Sequence, residues 1–242
     1  WFCMGDAIDA ITHYDTKIFD PSTISTKYRL KDLKNLPIIQ MDNFYENVKP
    51  IKDKCIGLVI GNHEASYAKY NGCDVYRYLL RKMSDGDPAR EKELCLGYVE
   101  LGKIALCQEQ AVGLKSYASW TIALNHGDGG GGYLPGYPVS KVYEMFRYYM
   151  TDINVMGHIH QLYGDSGKYL DYMDNNDMIE KKRRIFGVSG TFLTTYVDGN
   201  ANYFEGKGRK EGDIGMLKIE LSYRRSGNLS EKSAIPIKIT LN

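Results

Sequence analysis

Short apolar runs closed by Gly or Asn recur along this chain at residues 56–60, 120–124, 153–156 and 185–188. Uninterrupted apolarity over four or five positions predicts strands buried on both faces. Trp1-Phe2-Cys3-Met4, which stops at Gly5-Asp6, reads the same way. Residues 216–221 and 235–241 alternate apolar with polar, so each predicts a strand with one wet face. Residues 70–83 and 140–150 carry apolar positions at three- and four-residue spacing and predict helices, the second opening just after Pro138 with Ser140 as N-cap. The polar stretch 165–184, which ends in Glu180-Lys181-Lys182-Arg183-Arg184, predicts a surface loop, and the Gly- and charge-rich stretch 200–213 predicts a long one. No internal repeat is present. Strands alternating with helices give an α/β class, whose ligands bind beyond the carboxyl ends of the strands.

Composition narrows this picture. A chain of 242 residues fits one large α/β domain spanning 1–242. With 31 basic and 30 acidic residues and 43% hydrophobic content, neither a disordered chain nor a protein that coats nucleic acid is expected. No apolar run reaches the roughly 18 residues of a membrane span, and no secretory leader is legible. Cys3, Cys55, Cys73, Cys95 and Cys107 are scattered and never spaced Cys-x-x-Cys, so a reducing, cytoplasmic setting is expected.

The candidate chemistry sits where four apolar runs end: Gly5-Asp6-Ala7-Ile8-Asp9, Gly61-Asn62-His63-Glu64, Asn125-His126-Gly127 and Gly157-His158-Ile159-His160. Of the 5 histidines only His13 lies elsewhere. Each piece alone reads as a helix cap, a turn or a satisfied histidine. Together they resist that reading, because Gly-Asn-His-Glu alone is expected by chance in about one of a thousand chains this long. Carboxylate and amide oxygens mixed with imidazoles suit manganese, zinc or iron, and two such ions bridged by one carboxylate can activate water at a phosphoryl group. Gly127-Asp128-Gly129-Gly130-Gly131-Gly132 formally fits Gly-x-Gly-x-x-Gly, but Pro135 and Pro138 follow where a dinucleotide fold needs its helix. Backbone amides from Gly129, Gly130 and Gly131 are instead candidates for contact with a substrate phosphate, against the equal alternative of a flexible connector.

These four ordered motifs resemble the calcineurin-like metallophosphoesterase superfamily. The resemblance implies a sandwich of two mixed β-sheets flanked by α-helices and a two-metal hydrolase of phosphoric esters, with manganese the leading ion and zinc or iron the alternatives. It implies Asp6 as the bridge between the metals, Asn62, His126 and His158 at one site, His160 at the other, and His63 as the catalytic histidine held by Asp9. The family's opening Asp-x-His has no counterpart before Gly5, so the expectation is an N-terminal truncation that removes the first strand, with His13-Tyr14-Asp15 only a surface element. The Gly-rich segment and long polar loops look more like viral or prokaryotic phosphoesterases than protein phosphatases, which favours a phosphodiester substrate, with nucleic acid as the polymer. Lys181 to Arg184 read first as solvated surface and second as a polyanion contact. The alternatives are a nucleotide phosphohydrolase and a metal-binding scaffold impaired in catalysis. No membrane association is expected, and no protein partner can be inferred.

Overall fold

A computed structural model describes residues 1–15, 19, 21, 24–25, 27–109, 114–129, 134, 136–173, 178–194, 196, 208, 210–226 and 229–240. The expected loop over 200–213 lies largely outside these. The chain divides into two compact units, Trp1–Val99 with Thr194–Glu211, and Glu100–Leu193 with Gly212–Asn242.

In the first unit, β1 (Phe2–Cys3) pairs in parallel with β2 (Gly57–Leu58), and Leu58 also bridges Cys95. β1 is half-buried, short of the two-sided burial its apolar run predicts. Helices α1 (Leu36–Val48), α2 (Asn62–Asn71), α3 (Val75–Met83) and α4 (Pro88–Leu94) surround this pair. On α3, Val75, Tyr76, Leu79, Leu80 and Met83 form the buried stripe of an amphipathic helix and join Met41, Leu58 and Leu94 in one core. Tyr76 keeps its polar end satisfied there by donating its hydroxyl to the Leu58 carbonyl at 2.6 Å. The single helix expected over 70–83 is in fact two. Gly72 closes α2 in the left-handed region at φ 66°, and the Asp74 side chain starts α3 by accepting the Arg77 N–H at 2.8 Å.

The second unit is built on a mixed five-stranded sheet in the order β3-β4-β5-β7-β6. Its strands are β3 (Val99–Glu109), β4 (Leu114–Asn125), β5 (Ile153–Met156), β6 (Tyr163–Met173) and β7 (Met178–Val188). β5 lies parallel to both β4 and β7, is buried at every position, and β6 runs antiparallel along the far side of β7. α5 (Tyr137–Met145) covers this sheet with Val142 and Met145 against Met156, Phe186 and Val188, and Tyr143 stacks on Phe186 at 4.2 Å between centroids. It begins at Tyr137 rather than Ser140, because Pro138 fits the first turn, where its missing N–H is no loss. A hairpin of β8 (Gly215–Ser226) and β9 (Leu229–Thr240) completes the unit. Leu217 from β8 packs onto Gly187 and Gly164, and Pro236 from β9 onto Gly164, where an added Cβ would collide with them.

The expected loop over 165–184 is wrong: these residues form most of the β6–β7 ribbon, paired from Tyr163↔Val188 to Met173↔Met178. Their polarity hid the strands, since charges on one face are matched across it, with Lys182 on Asp171 at 2.7 Å and Glu180 at 3.7 Å. The α/β class is as expected from the sequence. No helix among the described residues is long and apolar enough to cross a membrane.

Candidate functional site

In the first unit the chain leaves β1 through Gly5 at φ 88° and Asp6 at φ 50°, and leaves β2 through Gly61, the N-cap of α2. The two turns are fastened by a side chain to which the sequence assigns no role. Glu64, 2% exposed, accepts the backbone N–H groups of Asp6 at 3.1 Å, Ala7 at 2.6 Å and Gly61 at 3.1 Å. Burial first, and the charge of Asp6 second, push its carboxyl above the ordinary range, while hydrogen bonds from the backbone N–H groups of Glu64 itself, Ala7 and Asp6 pull the other way. Only glycine fits at Gly61, because a Cβ there would fall on the Asp6 main chain and carboxylate. Asp6 in turn accepts the His63 backbone N–H through Oδ1 at 2.9 Å.

His63 projects from the first turn of α2 with about a third of its side chain exposed, and its Nε2 lies 3.8 Å from Asp6 Oδ2. Its Nδ1 meets the Asp9 backbone carbonyl at 2.5 Å, whereas the Asp9 carboxylate stands at 3.9 Å. A carbonyl only accepts, so Nδ1 carries the proton and Nε2 is the position that gains or gives one. Asp9 thus meets His63 through its main chain, whereas the expectation placed its side chain on the imidazole. The surrounding protein, with Asp6, holds the half-exposed Asp9 carboxyl above its usual range, and His63 opposes this. Asp9→Asn is therefore expected to leave bound metal unchanged and to cost turnover about tenfold or less; metal content and kcat of that variant, beside Asp6→Asn, check it.

In the second unit His126 follows β4 directly and is 3% exposed. Gly127, at φ 93°, turns the chain past Met156, whose methyl group would lie 2.5 Å from a Cβ there. His158 follows β5 and directs Nδ1 to His126 Nε2 at 3.2 Å and Nε2 to the Gly129 carbonyl at 2.7 Å. The carbonyl fixes the His158 tautomer, with the proton on Nε2 and a lone pair on Nδ1 facing His126. His160 sits one residue beyond Ile159, and its carbonyl accepts the Asp213 N–H at 2.8 Å. The loop 212–215 braces this turn, with Asp213 also accepting the Leu162 N–H at 2.8 Å.

This pair fits a divalent ion. Two nitrogens bound to one ion at about 2.0–2.1 Å stand about 2.9 Å apart at a right angle and about 3.4 Å apart at the tetrahedral angle, a range that includes the observed separation. A ligating imidazole usually donates its other N–H to a carbonyl or carboxylate, as His158 does to Gly129. The backbone agrees: of the non-glycine residues at positive φ among those described, Asp6, His158 and His160 are three, beside Ala10 and Asp85. Such conformations cost about 1–3 kcal/mol each and gather where a site demands them.

Asn62 is the exposed first residue of α2. Gly129 engages His158 through its carbonyl; Gly130 and Gly131 lie outside the described residues. His13 occupies a turn in which Asp15 accepts the Thr12 N–H at 2.7 Å and its hydroxyl at 2.9 Å.

No family model and no curated protein matches the sequence. Among solved structures, a double mutant of Vps29 from Entamoeba histolytica aligns at 12% identity over 78% of this chain and 87% of that one, with a TM-score of 0.35. Vacuolar Protein Sorting 29 from Cryptosporidium parvum aligns at 13% identity over 80% and 89%, TM-score 0.32. Wild-type Vps29 complexed with zinc, from Entamoeba histolytica, aligns at 13% over 79% and 88%, TM-score 0.31. Scores of this size leave the site to be judged on its own residues.

Proposed function

We propose that this chain is a metal-dependent hydrolase of phosphoric esters, acting on phosphodiesters through two divalent ions, with manganese the leading candidate. The observation that carries the reading is the His126–His158 pair, whose facing nitrogens stand 3.2 Å apart while Gly129 fixes the proton of His158 on the outer side. In this reading Asp6, Asn62, His126, His158 and His160 are the ligands, the set implied by the resemblance to metallophosphoesterases. The ions, when bound, supply water activation and charge neutralisation on the phosphoryl oxygens. The chain's own residues do the rest. Glu64 fastens the Asp6 main chain, Gly61 leaves room for its carboxylate, and the His63 backbone N–H holds Oδ1. His63, its Nδ1 proton held by the Asp9 carbonyl, gives a proton from Nε2 to the leaving oxygen.

The test is hydrolysis of bis(p-nitrophenyl) phosphate with metal content measured on the same sample. The manganese-loaded chain is expected to turn over, and His63→Ala to keep its metal while losing about 10²–10⁴ in kcat. A wild-type chain that binds metal yet cleaves no phosphoester would leave a metal-binding scaffold as the function. Cleavage confined to nucleotides in a panel containing single- and double-stranded DNA would replace the phosphodiesterase with a nucleotide phosphohydrolase.

A further inference from the structure

The turn Gly157-His158-Ile159-His160 is held against its own conformational preference. His158 at φ 66° and His160 at φ 60° both lie in the left-handed region, on either side of Ile159, which is 6% exposed and packs into the core with Met156 and Phe186. Two such residues within three persist only where the surrounding structure over-determines the backbone. Part of that constraint is local: the Ile159 N–H donates to the Gly157 carbonyl at 2.7 Å, and the Gly157 N–H to the His126 carbonyl at 3.0 Å. Both bonds lie ahead of His160. What fixes the chain at and beyond it comes from 51 positions further along.

Asp213 grips this backbone twice. Its N–H donates to the His160 carbonyl at 2.8 Å, and its carboxylate Oδ2 accepts the Leu162 N–H at 2.8 Å, so one residue clasps the chain from His160 to Leu162. Asp213 is itself held from the other side. Its carbonyl accepts the Thr191 N–H at 3.0 Å, the Thr191 carbonyl accepts the Gly215 N–H at 3.0 Å, and Thr191 bridges Ile214 in parallel. Thr191, 8% exposed, stands just past the end of β7, the strand beside β5, where the Ser189 N–H donates to the Met156 carbonyl at 2.8 Å. The loop has no slack. A Cβ at Gly190 would lie 2.5 Å from the Asp213 carbonyl oxygen, and one at Gly212 would lie 2.8 Å from Thr191 Cγ2, 3.3 Å from the His160 carbonyl oxygen and 3.5 Å from its Cβ.

We propose that Asp213 is a positioning residue for metal binding: it sets the backbone of His160, and through it the imidazole offered to the ion. The inference rests on the hydrolase reading for His160 as a ligand, while the clasp itself rests on the four hydrogen bonds around residues 160–162, 191 and 213–215. Ion–nitrogen distances vary little from about 2.0–2.1 Å, so a ligand must be held close to its productive position. Removing the groups that orient ligands from behind typically costs about 10–100-fold in metal affinity. A merely structural Asp213 would instead lower stability without acting through His160.

The experiment is isothermal titration of the full chain with manganese, with urea midpoints in EDTA reporting the stability of each metal-free variant. His160→Ala identifies the ion that His160 serves. Asp213→Ala is expected to weaken that same ion about tenfold or more. Asp213→Asn, whose amide oxygen still accepts the Leu162 N–H, should stay within about threefold of the wild type. Gly212→Ala reaches the same displacement by a second route, because its methyl group presses on His160 and Thr191 without removing an acceptor. It should weaken the same ion, and it decides the matter if Asp213→Ala does not fold. In the His160→Ala background, adding Asp213→Ala should change the manganese affinity that remains by less than about twofold, since a residue that acts through His160 has nothing left to act on. Wild-type affinity in Asp213→Ala, an undiminished loss in the His160→Ala background, or a wild type whose manganese binding His160→Ala leaves unaltered would each overturn the proposal. Hydrolysis of the aryl phosphodiester is scored separately. A chain with the expected pattern of affinities that does not hydrolyse it loses only the hydrolase reading, and one that hydrolyses it while Asp213→Ala binds manganese as the wild type does loses only the clasp.

Discussion

Replacing His158 with asparagine is expected to lower the affinity for manganese and zinc by at least about 100-fold while leaving the metal-free chain nearly as stable as before. Asparagine is the informative choice because His158 sits at φ 66°, a conformation that asparagine accepts more readily than most residues, so backbone strain does not confuse the result. The loss follows from ligand counting. His158 Nδ1 and His126 Nε2 are 3.2 Å apart, and one ion uses both. His126→Ala should cost as much affinity, but it should also destabilise the metal-free fold by about 2–3 kcal/mol, because His126 is 3% exposed and its removal leaves a cavity. Isothermal titration with each metal measures the first effect and urea denaturation in EDTA the second. A further readout is thermal: metal at 100 times its Kd should stabilise the wild type by about 2.7 kcal/mol, and the variants scarcely at all. Equal metal affinity in wild type and His158→Asn would leave the two imidazoles as nothing more than a hydrogen-bonded pair.

Glu64→Ala is expected to cost about 3–4 kcal/mol of stability, as much as a severe core truncation. Three backbone N–H groups, on Asp6, Ala7 and Gly61, lose their shared acceptor in a place that is 2% exposed, and each unpaired donor costs about 1–3 kcal/mol. Two effects offset part of that sum. A carboxylate no longer has to be held against burial and the Asp6 charge, and water can enter the space vacated. Glu64→Gln, which keeps one acceptor oxygen, should fall between wild type and Glu64→Ala. Metal affinity should drop with stability, since the turn that presents Asp6 is the one Glu64 fastens. Denaturant midpoints in EDTA decide the matter, and a loss below about 0.5 kcal/mol would mean that water replaces the carboxylate on all three donors.

The ribbon shows where polarity misleads a reading of strands. Residues 165–184 look like a loop because charged residues recur along them, yet the register brings Lys182 onto Asp171 across the strands, and exposure on the other face removes any need for strict apolar alternation. Likewise the helix period over 70–83 survives in α3, while a single left-handed glycine at position 72 cuts it from α2.

What the sequence determined by itself is the set of strand ends and the residue types standing at them. β4 ends at Asn125 beside His126 and β5 ends at Met156 before Gly157-His158, as the apolar runs predict, because continuous apolarity and its glycine terminators are local properties, while β2 stops at Leu58, two residues before the end of its run at Ile60. Only the tertiary structure decided how those residues are held. Glu64 reaches partners 57 and 58 positions away, His158 reaches a carbonyl 29 positions away, and Asp9 holds His63 across 54 positions through its main chain. Main-chain donors and acceptors are the same at nearly every position, so no side-chain pattern announces which of them a folded chain will bring within reach.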